Sequence, residues 1–179
     1  LEAARALFSH YGVKKTSVAD IAAKADVAVG SVYLEFDTKD DILAALVTER
    51  HRRVLEAQAE ALACEAEAIE CVRHALDARV RTFREVARGV HHEGELFLCA
   101  RACVESAHSR FAREEEKLYA DYLERVLGPT EPPASMRARA LMLAYAAFAP
   151  PELFRADDPC VDAELASMHM LVLPGLVRT

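Results

Sequence analysis

The composition of this 179-residue chain favours helices and excludes several classes of protein. Hydrophobic residues make up 53% of the chain and Gly occupies only 6 positions, which suits a packed helical protein and excludes a disordered one. The net charge of -7 argues against a protein coated with nucleic acid, but one small DNA-binding surface is compatible with it.

The distribution of charge and cysteine indicates an intracellular protein that presents one end to DNA. Residues 1–55 hold eight Lys/Arg and eight Asp/Glu, so the rest of the chain carries all of the excess acid. Five Cys without an even framework predict reduced thiols and a cytoplasmic location. No stretch is long and apolar enough to cross a bilayer, so no membrane partner is expected. Because Leu1 is not Met and already lies in a helical pattern, we expect residues upstream of it.

The first 36 residues predict three short helices. Apolar residues share one face of residues 1–11, and Gly12 ends that helix. Ser17 and Asp20 have the spacing of a capping box and predict the start of the second helix. A tight turn follows, and a third helix is predicted over about residues 29–36. Two short helices joined by such a turn are typical of a helix-turn-helix.

Longer helices are predicted for the rest of the chain. Thr38 and Asp41 repeat the capping-box spacing and predict the start of a long fourth helix. Beyond residue 60, apolar residues recur at three- and four-residue steps. Loops are expected where Gly or Pro cluster, at residues 89–94 and 128–133. The further helices are predicted over about residues 69–86, 96–110, 111–127, 134–149 and 161–177.

The N-terminal residues resemble the signature of the tetracycline-repressor (TetR) family of transcriptional regulators over about residues 1–47. Beyond that point the chain is similar to the family only in length and helical layout. The matching residues are Leu7, Phe8, Gly12, Thr16, Ser17, Val18, Asp20, Ile21, Ala22, Val27, Gly30, Ser31, Val32, Tyr33, Phe36, Thr38, Lys39, Ile42 and Leu43.

The chemistry of the N-terminal side chains predicts how the chain contacts DNA. Hydroxyl groups at helix starts can bind phosphates, and so can the Tyr33 phenol and the Lys39 ammonium group. The resemblance also implies phosphate contacts at Tyr33 and Lys39. Gly30 has no side chain, so the third helix can approach DNA closely. Phosphate contacts are predicted at Thr16, Ser17, Ser31, Tyr33 and Lys39, and base contacts at Ala19, Ala28, Val29, Gly30 and Leu34.

Four positions depart from the family pattern. The family often has Ser where Ala28 stands, a polar or basic residue at Val29 and His at Leu34. These departures leave few hydrogen-bonding groups for base recognition and favour apolar contacts with thymine methyl groups. Asp26 stands where the turn commonly has Gly, and Asp tolerates the left-handed conformation better than most residues.

The resemblance implies an all-α protein with two domains. Residues 1–45 would form the DNA-binding domain and residues 46–179 a ligand-binding and dimerisation domain. Helices 134–149 and 161–177 would pair in a homodimer that binds a palindromic operator in double-stranded DNA. These helices are more apolar than one core face requires, and the predicted dimer residues are Leu141, Leu143, Tyr145, Phe148, Leu165, Met168, Leu171, Val172 and Leu176. Apolar residues and phenols of the middle helices would line the effector pocket, so we expect a hydrophobic, neutral or weakly cationic small molecule. The predicted pocket residues are Phe83, Val86, Leu96, Phe97, Cys103, Tyr119 and Tyr122.

Two other functions use residues outside this signature. The pairs Cys64/Cys71 and Cys99/Cys103 suit either a redox or soft-metal sensor without DNA activity or, more simply, small buried side chains. The segment from Glu105 to His108 has the Glu-x-x-His spacing of di-iron helical enzymes, but such sites need two copies and the chain has one. We therefore expect no enzyme activity, no bound metal and no cofactor, and the cluster at 91–93 is interpreted as an exposed loop.

Overall fold

The structure is a computed structural model that describes residues 1–87, 102–150, 153 and 160–176, with only the backbone of residues 86 and 87. Within these ranges the chain is helical and contains no strand, which confirms the predicted all-α class. None of the helices described is long and apolar enough to cross a membrane.

Three short helices form an N-terminal head: α1 (Glu2–Tyr11), α2 (Val18–Lys24) and α3 (Val29–Glu35). Phe8 of α1 and Ile21 of α2 are buried in one apolar cluster that holds the head together. Because α3 contributes no fully buried residue, it is held mainly by the turn before it and by two partly buried side chains. Those two side chains, which pack against the cluster, are Val32 and Phe36.

Short-range hydrogen bonds fix the ends of the head helices as the sequence predicts. At the start of α2, the backbone N–H of Asp20 donates to Ser17 Oγ at 3.1 Å, and the backbone N–H of Ser17 donates to the Asp20 carboxylate at 2.8 Å. Thr38 and Asp41 form the same capping box before the fourth helix. Each N-cap stabilises its helix by about 1 kcal/mol. Asp26 takes a left-handed φ of 54° in the turn between α2 and α3.

Within the described residues, five longer helices form the body of the molecule. Helix α4 packs against α5 and α6, α6 packs against α7, and α8 packs against both α5 and α7. A single turn of 3₁₀ helix, Ala146–Phe148, follows α7. The helices are α4 (Lys39–Leu62), α5 (Ala68–Ala87), α6 (Ala102–Leu127), α7 (Ala134–Ala144) and α8 (Val161–Leu176).

Helix α4 belongs to both the head and the body. Its first half places Ile42 and Leu46 in the head cluster. Its second half places Val54 and Leu62 in the cluster that forms the core of the body. The same helix therefore connects the two clusters directly.

A partly buried chain of hydrogen bonds ties α8 and the residue after α7 to α5. Asp77 of α5 accepts from His169 Nε2 at 2.9 Å, so the other imidazole nitrogen accepts from the Tyr145 hydroxyl at 2.9 Å. The low polarity of this site raises the pKa of Tyr145 above its ordinary value, and Asp77 adds to that effect. The phenol therefore stays protonated and remains a donor.

Two predicted helix boundaries are wrong. The break expected between residues 110 and 111 is absent because no Gly or Pro interrupts α6, and Phe111 is buried in the middle of it. The helix expected over 134–149 ends at Ala144. There the carbonyl groups of Tyr145 and Phe148 accept hydrogen bonds from Arg79. The helix start predicted near residue 96 and the loop at 89–94 lie outside the described residues.

The prediction that all cysteines are reduced is also wrong. Cys64 and Cys71 form a disulfide, with their Cα atoms 5.9 Å apart. The spacing of seven residues suggests one helix, but the chain turns between α4 and α5 and brings the two residues together. Cys103 and Cys160 are not in disulfides, and Cys99 lies outside the described residues.

Candidate DNA interface and ligand cavity

The outer surface of α3 is exposed and largely apolar. Leu34 is 87% exposed, Tyr33 is half exposed, and Val29 and Val27 are also open to solvent. Removing such apolar side chains from water against a partner would be favourable by roughly 25 cal/mol per Å² of apolar surface buried. A short helix that presents its apolar side chains outward is therefore suited to contact a partner.

Gly30 lies on this helix although the protein itself does not need a glycine there. A Cβ atom at this position would meet nothing within 4 Å, and no positive φ requires Gly. Glycine inside a helix costs about 0.5–1 kcal/mol relative to alanine. The residue therefore weakens α3 without easing any internal packing, and its missing side chain leaves room for a surface outside the protein.

The three hydroxyl groups predicted to bind phosphate differ in their surroundings. Ser17 is exposed, and its Oγ also donates to the Asp20 carboxylate at 2.7 Å. These hydrogen bonds lower the pKa of Asp20. Ser31 is exposed on α3. Thr16 is buried, and its hydroxyl donates to the Gly12 carbonyl at 3.0 Å. The structure thus gives the Thr16 side chain an internal role, in holding the turn after α1.

The ammonium group of Lys39 also makes internal hydrogen bonds. Its Nζ donates to the carbonyl groups of Val13 and Thr16, at 2.8 and 2.9 Å. An ammonium group has three N–H donors, so one remains for a phosphate after these two are used. The lysines that the sequence interpretation did not select, Lys15 and Lys24, are exposed beside a depression formed by α1 and α2.

A cavity of 460 Å³ lies between α4, α5, α6 and α7. This volume is within the usual range of small-molecule sites. Its lining is mainly apolar, from Phe83, Phe111, Met142 and Leu143 among others. Two arginines and two glutamates also line the cavity, so their formal charges cancel. These residues are Arg79, Arg139, Glu115 and Glu116.

Two histidines supply polar groups to the cavity. His51 Nε2 lies 3.2 Å from His108 Nδ1, and the His51 ring stacks on Phe111 at 4.5 Å. Burial, together with the nearby His108, Arg110 and Arg50, lowers the pKa of His51 to about 3. His51 is therefore neutral at physiological pH.

A buried ion pair closes one side of the cavity. Arg79 and Glu115 are only 5% and 4% exposed, and Arg79 Nε donates to Glu115 Oε1 at 2.7 Å. Arg79 also donates to Glu115 Oε2 at 3.2 Å. The Gln58 amide donates to Glu115 at 2.9 Å and to the Tyr119 hydroxyl at 3.0 Å. Burial raises the pKa of Tyr119, so its phenol stays protonated.

The structure places the predicted pocket residues in different surroundings. Of those it describes, Phe83 lines the cavity, whereas Tyr119 is buried in the body core and Tyr122 donates to the Ala68 carbonyl at 3.4 Å. Cys103 packs against the head cluster. The side chain of Val86, as well as Leu96 and Phe97, lies outside the described residues.

His51 and His108 are two of the cavity residues that the sequence interpretation missed. A histidine within the apolar stripe of α4 is the signal that identifies His51. His108 drew attention only as half of a metal motif. Within the described residues no group of three or more metal-ligating side chains occurs, and Glu105 is exposed.

Helices α7 and α8 carry a second exposed apolar surface. Met136 and Leu143 of α7 and Met170 and Leu171 of α8 are 60–79% exposed. Leu143 and Leu171 were among the predicted dimer residues, and the two methionines add to them. The other predicted residues are inside the body core, as with Leu141, Tyr145, Phe148, Leu165 and Leu176, or half buried, as with Met168 and Val172.

Comparison with known proteins agrees with this geometry. Residues 1–46 match the family model of bacterial regulatory proteins of the tetR family. The chain is similar to a TetR-like transcriptional regulator from Rhodococcus sp. RHA1, with 27% identity over 99% of this chain and 93% of that one and a TM-score of 0.63. It is also similar to a putative transcriptional regulator from Pseudomonas aeruginosa PAO1, with 18% identity, 98% and 87% coverage and a TM-score of 0.71.

A third similar structure is the SmeT–triclosan complex, with 20% identity, 98% and 87% coverage and a TM-score of 0.63. No curated protein matches the chain. The chain thus has the fold of a TetR-family transcriptional regulator. Its first 46 residues match the model of that family and contain helices α2 and α3, which are joined by the tight turn of a helix-turn-helix.

Proposed function

We propose that this chain is a cytoplasmic homodimeric repressor that leaves its DNA operator when a small hydrophobic molecule enters the cavity. Residues 1–45 act as the DNA-binding domain and residues 46–179 as the ligand-binding and dimerisation domain. The observation that carries the proposal is the course of α4. One continuous helix lines the cavity through His51 and enters the head core through Ile42 and Leu46.

The exposed surface of α3 supports DNA binding by this head. Val29 and Leu34 offer methyl groups to thymine, and Gly30 allows close approach to the backbone. Phosphate contacts come from Ser17, Ser31 and Tyr33, from the third N–H of Lys39 and from backbone N–H groups. Thr16 contributes by shaping the turn. Ala19 and Ala28 are exposed beside these residues and complete the base-facing surface.

The apolar faces of α7 and α8 support a homodimer. Burying Met136, Leu143, Met170 and Leu171 against a second copy removes them from water. A two-fold dimer places two copies of α3 on half-sites about 34–36 Å apart or at a multiple of that distance. Sedimentation at micromolar concentration should give twice the 19.7 kDa chain mass. A monomer at that concentration would contradict both the interface and the operator geometry.

The cavity favours a hydrophobic ligand with one hydrogen-bonding group. Its arginines and glutamates balance in number and His51 is uncharged, so neither an anion nor a cation is strongly selected. The similar SmeT structure holds triclosan. Moving nearly all of the protein off DNA takes differential binding of about 5 kcal/mol, so the cavity has to change shape between the two states.

Selection from random double-stranded DNA tests the DNA-binding half of the proposal. The protein should enrich a palindrome, and the variant Leu34→Glu should enrich nothing. Leu34 is 87% exposed, so this change leaves the core intact while placing a negative charge on the DNA-facing surface. If the protein itself enriches no sequence but is stabilised by small molecules, the competing function of a ligand sensor without DNA activity is correct.

Thermal-shift and native mass spectrometry against uncharged phenols, organic anions and metal ions test the ligand half. Uncharged phenols should stabilise the protein and release the selected DNA. Ala112→Phe, which narrows the cavity, should lose this response, whereas Leu34→Glu should keep it. Stabilisation by anions or metals alone would contradict the proposed ligand class.

A further inference from the structure

The turn between α4 and α5 holds two cysteines that the proposed regulatory function does not use. Cys64 follows the end of α4, Cys71 lies in the first turn of α5, and the two sulfurs are bonded. The Cα atoms lie 5.9 Å apart, within the range that a disulfide bridges without backbone movement.

The same backbone also accommodates the reduced pair. Cys71 Sγ lies 3.3 Å from the carbonyl oxygen of Cys64 and 3.5 Å from that of Ala66. A thiol at Cys71 can donate to either oxygen, so reduction leaves no buried polar group without a partner. Both oxidation states therefore fit one conformation of the turn, which is a requirement for reversible exchange between them.

The two sulfurs differ in access and in neighbours. Cys71 is 1% exposed and belongs to the body core, whereas Cys64 is only half buried. His74 Nε2 lies 3.0 Å from Arg73 Nη2, and because a guanidinium can only donate, this nitrogen accepts. The proton of the neutral imidazole is then on Nδ1, which lies 4.0 Å from Cys64 Sγ. Cys64 is thus the accessible sulfur and has an N–H donor beside it.

Carboxylates dominate the charge around this turn. Glu65 and Glu67 lie within it, and the nearby Arg73 is already paired with Glu70 and Asp77. Anionic oxidants such as glutathione disulfide are repelled by this surplus of negative charge. A small uncharged peroxide is not repelled by these carboxylates.

We propose that Cys64 and Cys71 are a reversible dithiol–disulfide site that is oxidised by small uncharged peroxides. The Cys64 thiolate attacks a peroxide oxygen, the O–O bond breaks, and hydroxide leaves and is protonated to water. Cys64 becomes a sulfenic acid. The Cys71 sulfur then attacks the Cys64 sulfur, releasing a second water and forming the disulfide. Two thiols are oxidised by two electrons, and one peroxide is reduced to two waters.

The disulfide closes a short ring across the turn between α4 and α5. Such a ring restricts the unfolded chain, so the oxidised protein should melt a few degrees higher than the reduced one. Because α4 also lines the cavity and enters the head, the site stiffens the end of the helix that joins them.

The experiment uses the full chain with Cys99, Cys103 and Cys160 replaced by Ser, so that only the pair remains. After reduction, one equivalent of hydrogen peroxide should remove both alkylatable thiols and lower the intact mass by two hydrogen atoms. Dithiothreitol should reverse both changes. Glutathione disulfide at the same concentration should act much more slowly.

Single variants distinguish the two roles. Cys71→Ser should stop at a sulfenic acid on Cys64 that dimedone traps, and Cys64→Ser should show no peroxide-dependent rise in melting temperature. Peptide mapping of the natural chain gives the same assignment if a variant fails to fold. Two alkylatable thiols after peroxide treatment, or faster oxidation by glutathione disulfide than by peroxide, would overturn the proposal.

Discussion

The head and the body of this molecule treat their polar groups in opposite ways. The head caps α2 and α4 with side chains three residues away, as in the Ser17 and Asp20 capping box, and leaves the outer surface of α3 exposed. The body buries charge in its interior and satisfies it across helices, as with Arg79 of α5 and Glu115 of α6. Substitutions on the head surface should therefore change DNA binding without changing stability, whereas substitutions around the cavity should change both.

The buried ion pair gives the largest expected effect. Arg79→Met leaves the Glu115 carboxylate buried without its counter-ion and should lower the free energy of unfolding by about 3–5 kcal/mol. Urea denaturation measures this change. The double variant Arg79→Met with Glu115→Leu should recover most of the loss, because no buried charge remains. If Arg79→Met is as stable as the parent, the Arg79–Glu115 pair is solvated. The body would then not differ from the head in burying its charge.

The buried histidine gives the next largest effect. The pKa of His51 is lowered to about 3, so between pH 6.5 and that value the unfolded chain binds a proton that the folded protein does not. Stability should therefore fall as the pH falls from 6.5, by up to about 1.4 kcal/mol per pH unit.

The comparison of parent and His51→Gln isolates this contribution. The parent should lose more stability between pH 7 and pH 5 than the variant, by roughly 1–2 kcal/mol in urea denaturation. Equal losses in both proteins would show that His51 is not desolvated in the cavity.

The sequence predicted the head more accurately than the body. Capping boxes and the left-handed Asp26 are set by neighbouring residues, so the head elements were predicted nearly to their ends. The cavity is formed by side chains up to about 100 positions apart in sequence, and helical periodicity does not show which buried face lines a void. Tyr119 and Phe83 have the same pattern in the sequence, but only Phe83 borders the cavity.

The internal hydrogen bonds of Lys39 were also beyond the sequence. A lysine at a helix start next to a DNA-binding motif indicates a phosphate contact, but its distance to the carbonyl of Val13 depends on how α1 packs against α4. The disulfide was missed for a similar reason, because the turn between Cys64 and Cys71 carries neither Gly nor Pro.

The smallest stability effect should come from the surface of α3. Gly30→Ala should leave the free energy of unfolding unchanged or raise it by about 0.5–1 kcal/mol, because its Cβ meets no atom and alanine favours the helix. The same variant should bind the selected DNA more weakly, since the methyl group occupies the space of close approach. A destabilised Gly30→Ala variant would show that the glycine serves the fold instead. Urea denaturation and fluorescence anisotropy give the two readings.

The most direct test of the central claim is a fluorescence anisotropy titration of the selected palindrome and of a scrambled duplex, with the parent protein and with Tyr33→Phe. The parent should bind as two chains per duplex and should bind the palindrome at least about 10³-fold more tightly than the scrambled duplex. Tyr33→Phe should bind both duplexes more weakly by a similar factor, because a phosphate contact does not distinguish sequences. Equal affinity of the parent for the palindrome and the scrambled duplex would contradict the account.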